Sequence, residues 1–236
     1  MKRTTKTIIA TLILLFIFFI QGAAVVMGNV EGNLSILIRS IILWTSVICT
    51  LLFYRKGLSN IGFRKPVSNI SKRLLLYIPV ILIALSHLVC GINTNSGIVF
   101  LLLNLIFVLS IGFIEEIYFR GIILKIWLDK NTKQAIIISS ILFAICHLMN
   151  VMGGAGIIEV VLQICFAFVY GVVLSYIFII SKSIWPCIII HAFHDYLSFI
   201  SLDASLGMNI LIGTIQFIIL IVYAIYLSKQ LKYKSD

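Results

Sequence analysis

Long apolar runs, interrupted at short intervals by clustered charges or by glycine, dominate this chain. A helix needs roughly 20 apolar residues to cross the hydrocarbon of a bilayer, with about 17 as a lower limit. Eight stretches qualify, at about 8–27, 34–54, 74–91, 98–128, 134–150, 157–180, 183–201 and 208–228. The pattern predicts an all-α, polytopic membrane helix bundle of about eight transmembrane helices. An even number of crossings puts both termini on one side.

Composition sharpens this picture. Of 236 residues, 61% are hydrophobic and only 11% charged, whereas a soluble domain carries about 25% charged residues. The charges needed to coat a globule are missing. Three Pro, 15 Gly and five Cys, an odd number scattered through apolar runs, exclude disordered, collagen-like and disulfide-scaffold classes. The net charge of +10 is explained by where the basic residues lie. Lys2, Arg3 and Lys6 precede the first span, and Arg55, Lys56, Arg64, Lys65, Lys72 and Arg73 fill the second connection. Lys125, Lys130 and Lys133 surround the fourth, Lys182 marks the sixth, and Lys229, Lys232 and Lys234 belong to the tail. Sixteen of the eighteen thus fall on one side, while the connections near Glu31, at Gly91–Gly97, at Val151–Gly156 and near Asp203 carry none. This asymmetry places both termini in the cytoplasm and basic loops against anionic lipid. Nucleic acid, which would need a basic face on a folded surface, is not an expected partner. The first span has a basic start and Gly22-Ala23-Ala24 after it, but its apolar stretch exceeds that of a signal peptide, so it reads as a retained anchor. Ala167, Gly171 and Ser175 recur every fourth residue and predict close helix packing.

Ionisable residues inside spans are costly, by about 2.5–3.5 kcal/mol at mid-helix, and call for a functional hypothesis. They concentrate in three spans: Glu115, Glu116 and Arg120 in the fourth, His147 in the fifth, and His191 with Asp195 in the seventh. Counting from the basic side at 1.5 Å per residue puts Glu115 and His147 at roughly 21 Å, Asp195 at roughly 20 Å and His191 at roughly 14 Å. Three helices bring carboxylate and imidazole to a similar level, and cytoplasmic access to them is compatible with these depths. Glu116 and Arg120, at i, i+4, can pair on one face, leaving Glu115, about 100° around the helix, free to face a cavity as a general base. His147 can share its water, and Asp195 can orient His191 from one turn away.

The order Glu115-Glu116 with Arg120, then Phe143 with His147, then His191 with Asp195 resembles the CPBP family of intramembrane proteases, also called the Abi or type II CAAX-protease family. Its signature is Glu-Glu-x-x-x-Arg, Phe-x-x-x-His and His-x-x-x-Asn or Asp on three helices; the resemblance covers about residues 110–197. It implies N-terminal helices and a basic loop over 1–97, a catalytic core over 98–201, and a C-terminal helix and tail over 202–236. It also implies an endopeptidase in which Glu115 and His147 activate water while His191 and Asp195 polarise the scissile carbonyl or bind a metal. Glu115, His147, His191 and Asp195 offer the N/O donors that zinc accepts in open catalytic sites. Asp195, where some relatives carry Asn, fits less well as an oxyanion donor than as a metal ligand, a partner of His191 or a protonated donor. The implied partner is a membrane-associated peptide or protein. An Ile- and Lys-rich composition suits a low-GC bacterium and its plasma membrane, where the resemblance implies peptide maturation or bacteriocin self-immunity.

Other readings compete. Each charge cluster can be structural, the same fold can serve as a non-catalytic immunity or regulatory scaffold, and buried Glu, His and Asp also build proton or cation relays. Cys187, at i, i+4 to His191, can be drawn as a thiolate dyad but reads better as inert packing. His87 reads as structural, His194 as packing or a pocket border, Glu159 as a helix-dipole residue and Arg39 as reaching headgroups.

Overall fold

A computed structural model describes residues 1–67, 70–93, 97–152 and 154–232, without the side chains of 70–75, 152 and 232. The expected charges of Lys72, Arg73 and Lys234 and the turn residue Gly153 lie outside the described residues. The chain forms α1 (Arg3–Met27), α2 (Gly32–Phe53), α3 (Ile70–Leu85, continued by a 3-10 turn Ser86–Cys90), α4 (Gly97–Leu128) and α5 (Thr132–Cys146). It continues through α6 (Ile157–Ser181), α7 (Trp185–Ile200) and α8 (Leu206–Lys232). The protein is an all-helical, multi-pass membrane bundle, and each of the eight predicted stretches is helical.

Six helices among the described residues are long and apolar enough to cross a membrane. The third and seventh stretches are shorter than expected. The apolar part of α3 runs Leu76–Cys90, and the 16 residues of α7 rise about 24 Å against a hydrocarbon core of about 30 Å. Local chemistry sets the ends of α7. Lys182 takes a left-handed conformation with φ 55°, Pro186 occupies the first turn, and beyond Ile200 the extended Ser201 pairs with Ile92.

The connections gather into two groups. On the basic side, Ile184 N–H donates to Gly62 O at 2.9 Å, Val67 N–H to Ser181 O at 3.0 Å, Arg64 Nε to Lys182 O, and Lys125 Nζ to Asn60 O. On the uncharged side, Leu202 N–H donates to Gly91 O at 3.0 Å and Asn93 N–H to Ile200 O at 2.8 Å. Segments assigned to one side by charge are thus bonded to one another.

Small residues let α4, α5, α6 and α7 approach closely. A Cβ on Gly112 would stand 3.2 Å from Ala192 Cβ and Ile188 O of α7, and one on Gly171 would stand 3.2 Å from Ser140 Cα and Phe143 Cδ1 of α5. Ala167 and Ser175 are buried on the same α6 stripe, so the predicted close packing is present. After Glu116, α4 becomes π-helical over Ile117–Leu124. Such widened turns free backbone carbonyls and recur at functional sites. Here Ser139 Oγ donates to Phe119 O at 2.8 Å from α5.

Candidate active site

Consecutive positions on an α-helix point about 100° apart, so Glu115 and Glu116 meet different surroundings. Glu116 and Arg120 are completely buried and form the predicted ion pair, Arg120 Nη1 to Glu116 Oε1 at 2.8 Å. The same oxygen accepts from His191 Nδ1 at 2.8 Å. Arg120 Nη2 reaches Gly171 O at 3.4 Å, and its Cζ lies 4.4 Å from the centroid of the Phe143 ring. Residues from α4, α5 and α6 therefore converge on one guanidinium, and His191 of α7 joins them through Glu116. A buried charge of this kind is tolerable only with such partners.

Fixed through Nδ1, His191 presents Nε2 to the neighbouring carboxylates, 3.4 Å from Asp195 Oδ2 and 3.8 Å from Glu115 Oε2. Glu115 is 8% exposed, has no hydrogen-bond partner at Oε2, and lines a cavity of about 700 Å³. His147 lines it too, with Nδ1 2.9 Å from Phe143 O. Since a carbonyl only accepts, Nδ1 carries the proton and Nε2 is left as an acceptor. The Phe143 ring packs edge-on against His147 at 5.1 Å and His191 at 5.6 Å. One aromatic thus sets the relative placement of both imidazoles.

The structure brings Glu115, His147, His191 and Asp195 to this one cavity, with Glu116 and Arg120 directly behind it. The direction of opening differs from the depth-based expectation. The cavity extends past Tyr170 and Phe107 toward Gln21, Arg39 and Asn209, near the uncharged connections. Toward the basic side, Ile117, Phe119, Ile123 and Leu124 are fully buried and seal it.

Residues beyond those six also belong here. His194 Nδ1 lies 3.4 Å from Asp195 Oδ1, and its Nε2 lies 3.3 Å from His87 Nε2. A polar string therefore runs from His87 through His194, Asp195 and His191 to Glu116 and Arg120. Tyr170 packs 5.2 Å from His194 and 6.1 Å from His191; its spacing of four from Phe166 on an apolar helix was the available signal. Arg39 lines the cavity as well. Cys187 is buried with Sγ 3.4 Å from Leu174 O, and His191 is turned to carboxylates, so no thiolate dyad forms.

The donor set does not assemble into a zinc site. Among the described residues no group of three or more His, Cys, Asp or Glu side chains is placed to hold a metal ion. The steps below therefore use only the chain's own groups.

A multi-pass helical membrane protein with a carboxylate and imidazole cavity inside the bundle is the class that fold and site define. Residues 96–197 match the family described as Type II CAAX prenyl endopeptidase Rce1-like. This segment is thus similar to an Rce1-like CAAX protease domain, in keeping with the three motifs, and all six residues above lie within the match. No individual curated protein matches the chain.

Proposed function

We propose that the protein is an intramembrane endopeptidase that hydrolyses a membrane-associated peptide or protein with water activated by Glu115. The observation that carries this reading is the unpartnered Glu115 carboxylate oxygen lining the cavity 3.8 Å from His191 Nε2. In the proposed reaction Glu115 takes a proton from water while the water oxygen attacks the scissile carbonyl. His147 Nε2 holds the second water hydrogen. The developing oxyanion accepts from His191 Nε2–H, whose ring is held by Glu116 and Asp195. As the C–N bond breaks, the proton on Glu115 passes to the leaving amine, which restores the carboxylate. Asp195 Oδ2, 3.4 Å from the same Nε2, is the acceptor that this hydrogen leaves as the oxyanion develops. We further propose a bacterial plasma membrane location, with peptide maturation or bacteriocin self-immunity as the physiological role.

The test compares peptide termini in cells expressing the wild type or equal amounts of Glu115→Ala. Termini or lost precursors seen only with the wild type support hydrolysis and name the substrate. Identical profiles, with any biological protection retained, would shift the reading to a non-catalytic scaffold.

A further inference from the structure

Two histidines that line the cavity, His87 and His194, take no part in the proposed reaction. His194 Nδ1 is 3.4 Å from Asp195 Oδ1, and on the opposite edge of the ring Nε2 is 3.3 Å from His87 Nε2. The His194 ring stacks on Phe166 at 5.2 Å and 22°, packs 5.2 Å from Tyr170, and meets His87 edge-on at 4.8 Å. Three other rings therefore fix its plane. His87 is held in place by contacts of its own segment. It sits in the 3-10 turn that continues α3, where Gln216 of α8 donates to Ser86 Oγ at 2.7 Å and to Ile83 O at 3.3 Å. Just beyond, Gly91, with φ 88°, offers its carbonyl to Leu202 N–H past the end of α7 at 3.0 Å. The end of α3 is thus fastened to both α8 and α7 on either side of His87.

The direction of these hydrogen bonds follows from which groups can donate. A carboxylate only accepts, so with one proton on each ring His194 carries its proton on Nδ1 and leaves Nε2 as an acceptor. His87 then supplies the hydrogen between the two rings from its own Nε2. The string donates one way, from His87 to His194 to Asp195. Asp195 needs that donor during the reaction. Its Oδ2 lies 3.4 Å from His191 Nε2, and the hydrogen they share turns to the oxyanion as the transition state forms. A carboxylate inside the bundle that loses one donor and has no other bears the cost of an unmet charge. We propose that His194 and His87 are positioning residues that hold the Asp195 carboxylate through Oδ1 while Oδ2 releases the His191 hydrogen. This inference rests on the proteolytic reading and adds what keeps Asp195 in place when its partner leaves.

The first measurement does not depend on hydrolysis. The full chain, isotopically labelled at its imidazole nitrogens and held in nanodiscs, is studied by nitrogen NMR, with the four histidines assigned by replacing each in turn. His194 should carry its proton on Nδ1 and His87 on Nε2, with scalar coupling between the two Nε2 atoms. A proton on His194 Nε2, or no coupling between the rings, would overturn the string. The second measurement follows the rate at which Glu115-dependent peptide termini appear in cells holding equal amounts of inserted protein. His194→Phe keeps the stack on Phe166 and Tyr170 but has no donor, and the rate should fall about ten-fold, as expected for loss of one hydrogen bond to a charged group. His194→Asn places an amide N–H near the position of Nδ1 and should restore most of the rate. His194→Gln, whose N–H lies near the position of Nε2, should not. Equal rates in His194→Phe and wild type, or a His194→Asn variant as slow as His194→Phe, would overturn the positioning role and leave the proteolytic reading intact. A wild type that yields no Glu115-dependent termini would overturn the proteolytic reading, and the positioning role with it, whatever the tautomers.

Discussion

Glu116 Oε1 stands 2.8 Å from His191 Nδ1 and 2.8 Å from Arg120 Nη1. One carboxylate oxygen thus joins the buried Arg120 guanidinium to the His191 imidazole, and it leaves the other side of the imidazole to the cavity. In the proposed reaction the second glutamate of the pair is therefore a positioning residue, and the first is the one that meets the water.

That division separates stability from activity. Glu115→Gln should abolish hydrolysis while leaving thermal unfolding in detergent unchanged or shifted upward, because it removes a buried charge that lacks a hydrogen-bond partner at one oxygen. A variant that unfolds much earlier than the wild type would place Glu115 in the scaffold instead.

For the ion pair the expectation is reversed. Arg120→Met strands the Glu116 charge and should destabilise the fold by about 3–5 kcal/mol, whereas Arg120→Met combined with Glu116→Gln should recover much of that loss. Activity should stay low in the double variant, since His191 Nδ1 then meets an amide in place of the Glu116 carboxylate. A double-mutant cycle on purified protein measures the coupling, and simple additivity would contradict it.

Phe143 acts through its ring. Phe143→Leu keeps most of the volume but removes the face under Arg120 and the edges against His147 and His191. We expect a loss of turnover well beyond the modest destabilisation of about 1–1.5 kcal/mol typical of volume-conserving core changes. Equal turnover in Phe143→Leu and wild type would show that the ring only fills space.

Since the donors of the site do not meet as a metal-holding group among the described residues, dialysis against a chelator should leave the rate of peptide cleavage unchanged. Loss of activity that returns on adding zinc would show instead that Glu115, His147, His191 and Asp195 close around a metal in the working enzyme.

Much of this was legible before any coordinates. Apolar run length located the helices, and the ionisable residues within them marked Glu115, Glu116, Arg120, His147, His191 and Asp195, because hydrocarbon penalises charge regardless of tertiary context. Run length could not show that α7 stops short, since its ends depend on Lys182 and on pairing of Ser201 with Ile92. Nor could it find His87 beside His194. That contact joins residues 107 positions apart, and neither has a local pattern that names the other. Arg39 shows a different failure, because residues near the end of a span fit headgroups as readily as cavities, and only the direction of the side chain decides. The direction of cavity opening likewise depends on which faces of four helices are sealed.

The π-helical stretch at Ile117–Leu124 also bears on how this protein tolerates change in length. A widened turn is what remains when an extra residue is absorbed into a helix without shifting its ends, so the two halves of α4 keep separate angular phases. The half bearing Glu115 faces the cavity, and the half ending at Leu128 faces the basic loops, with neither dictating the orientation of the other. Removing one residue between Ile117 and Leu124 would restore regular winding and rotate one half by about 100°. A deletion there would change the angle of Glu115 relative to the end of α4 at Leu128, even though every catalytic side chain would still be present.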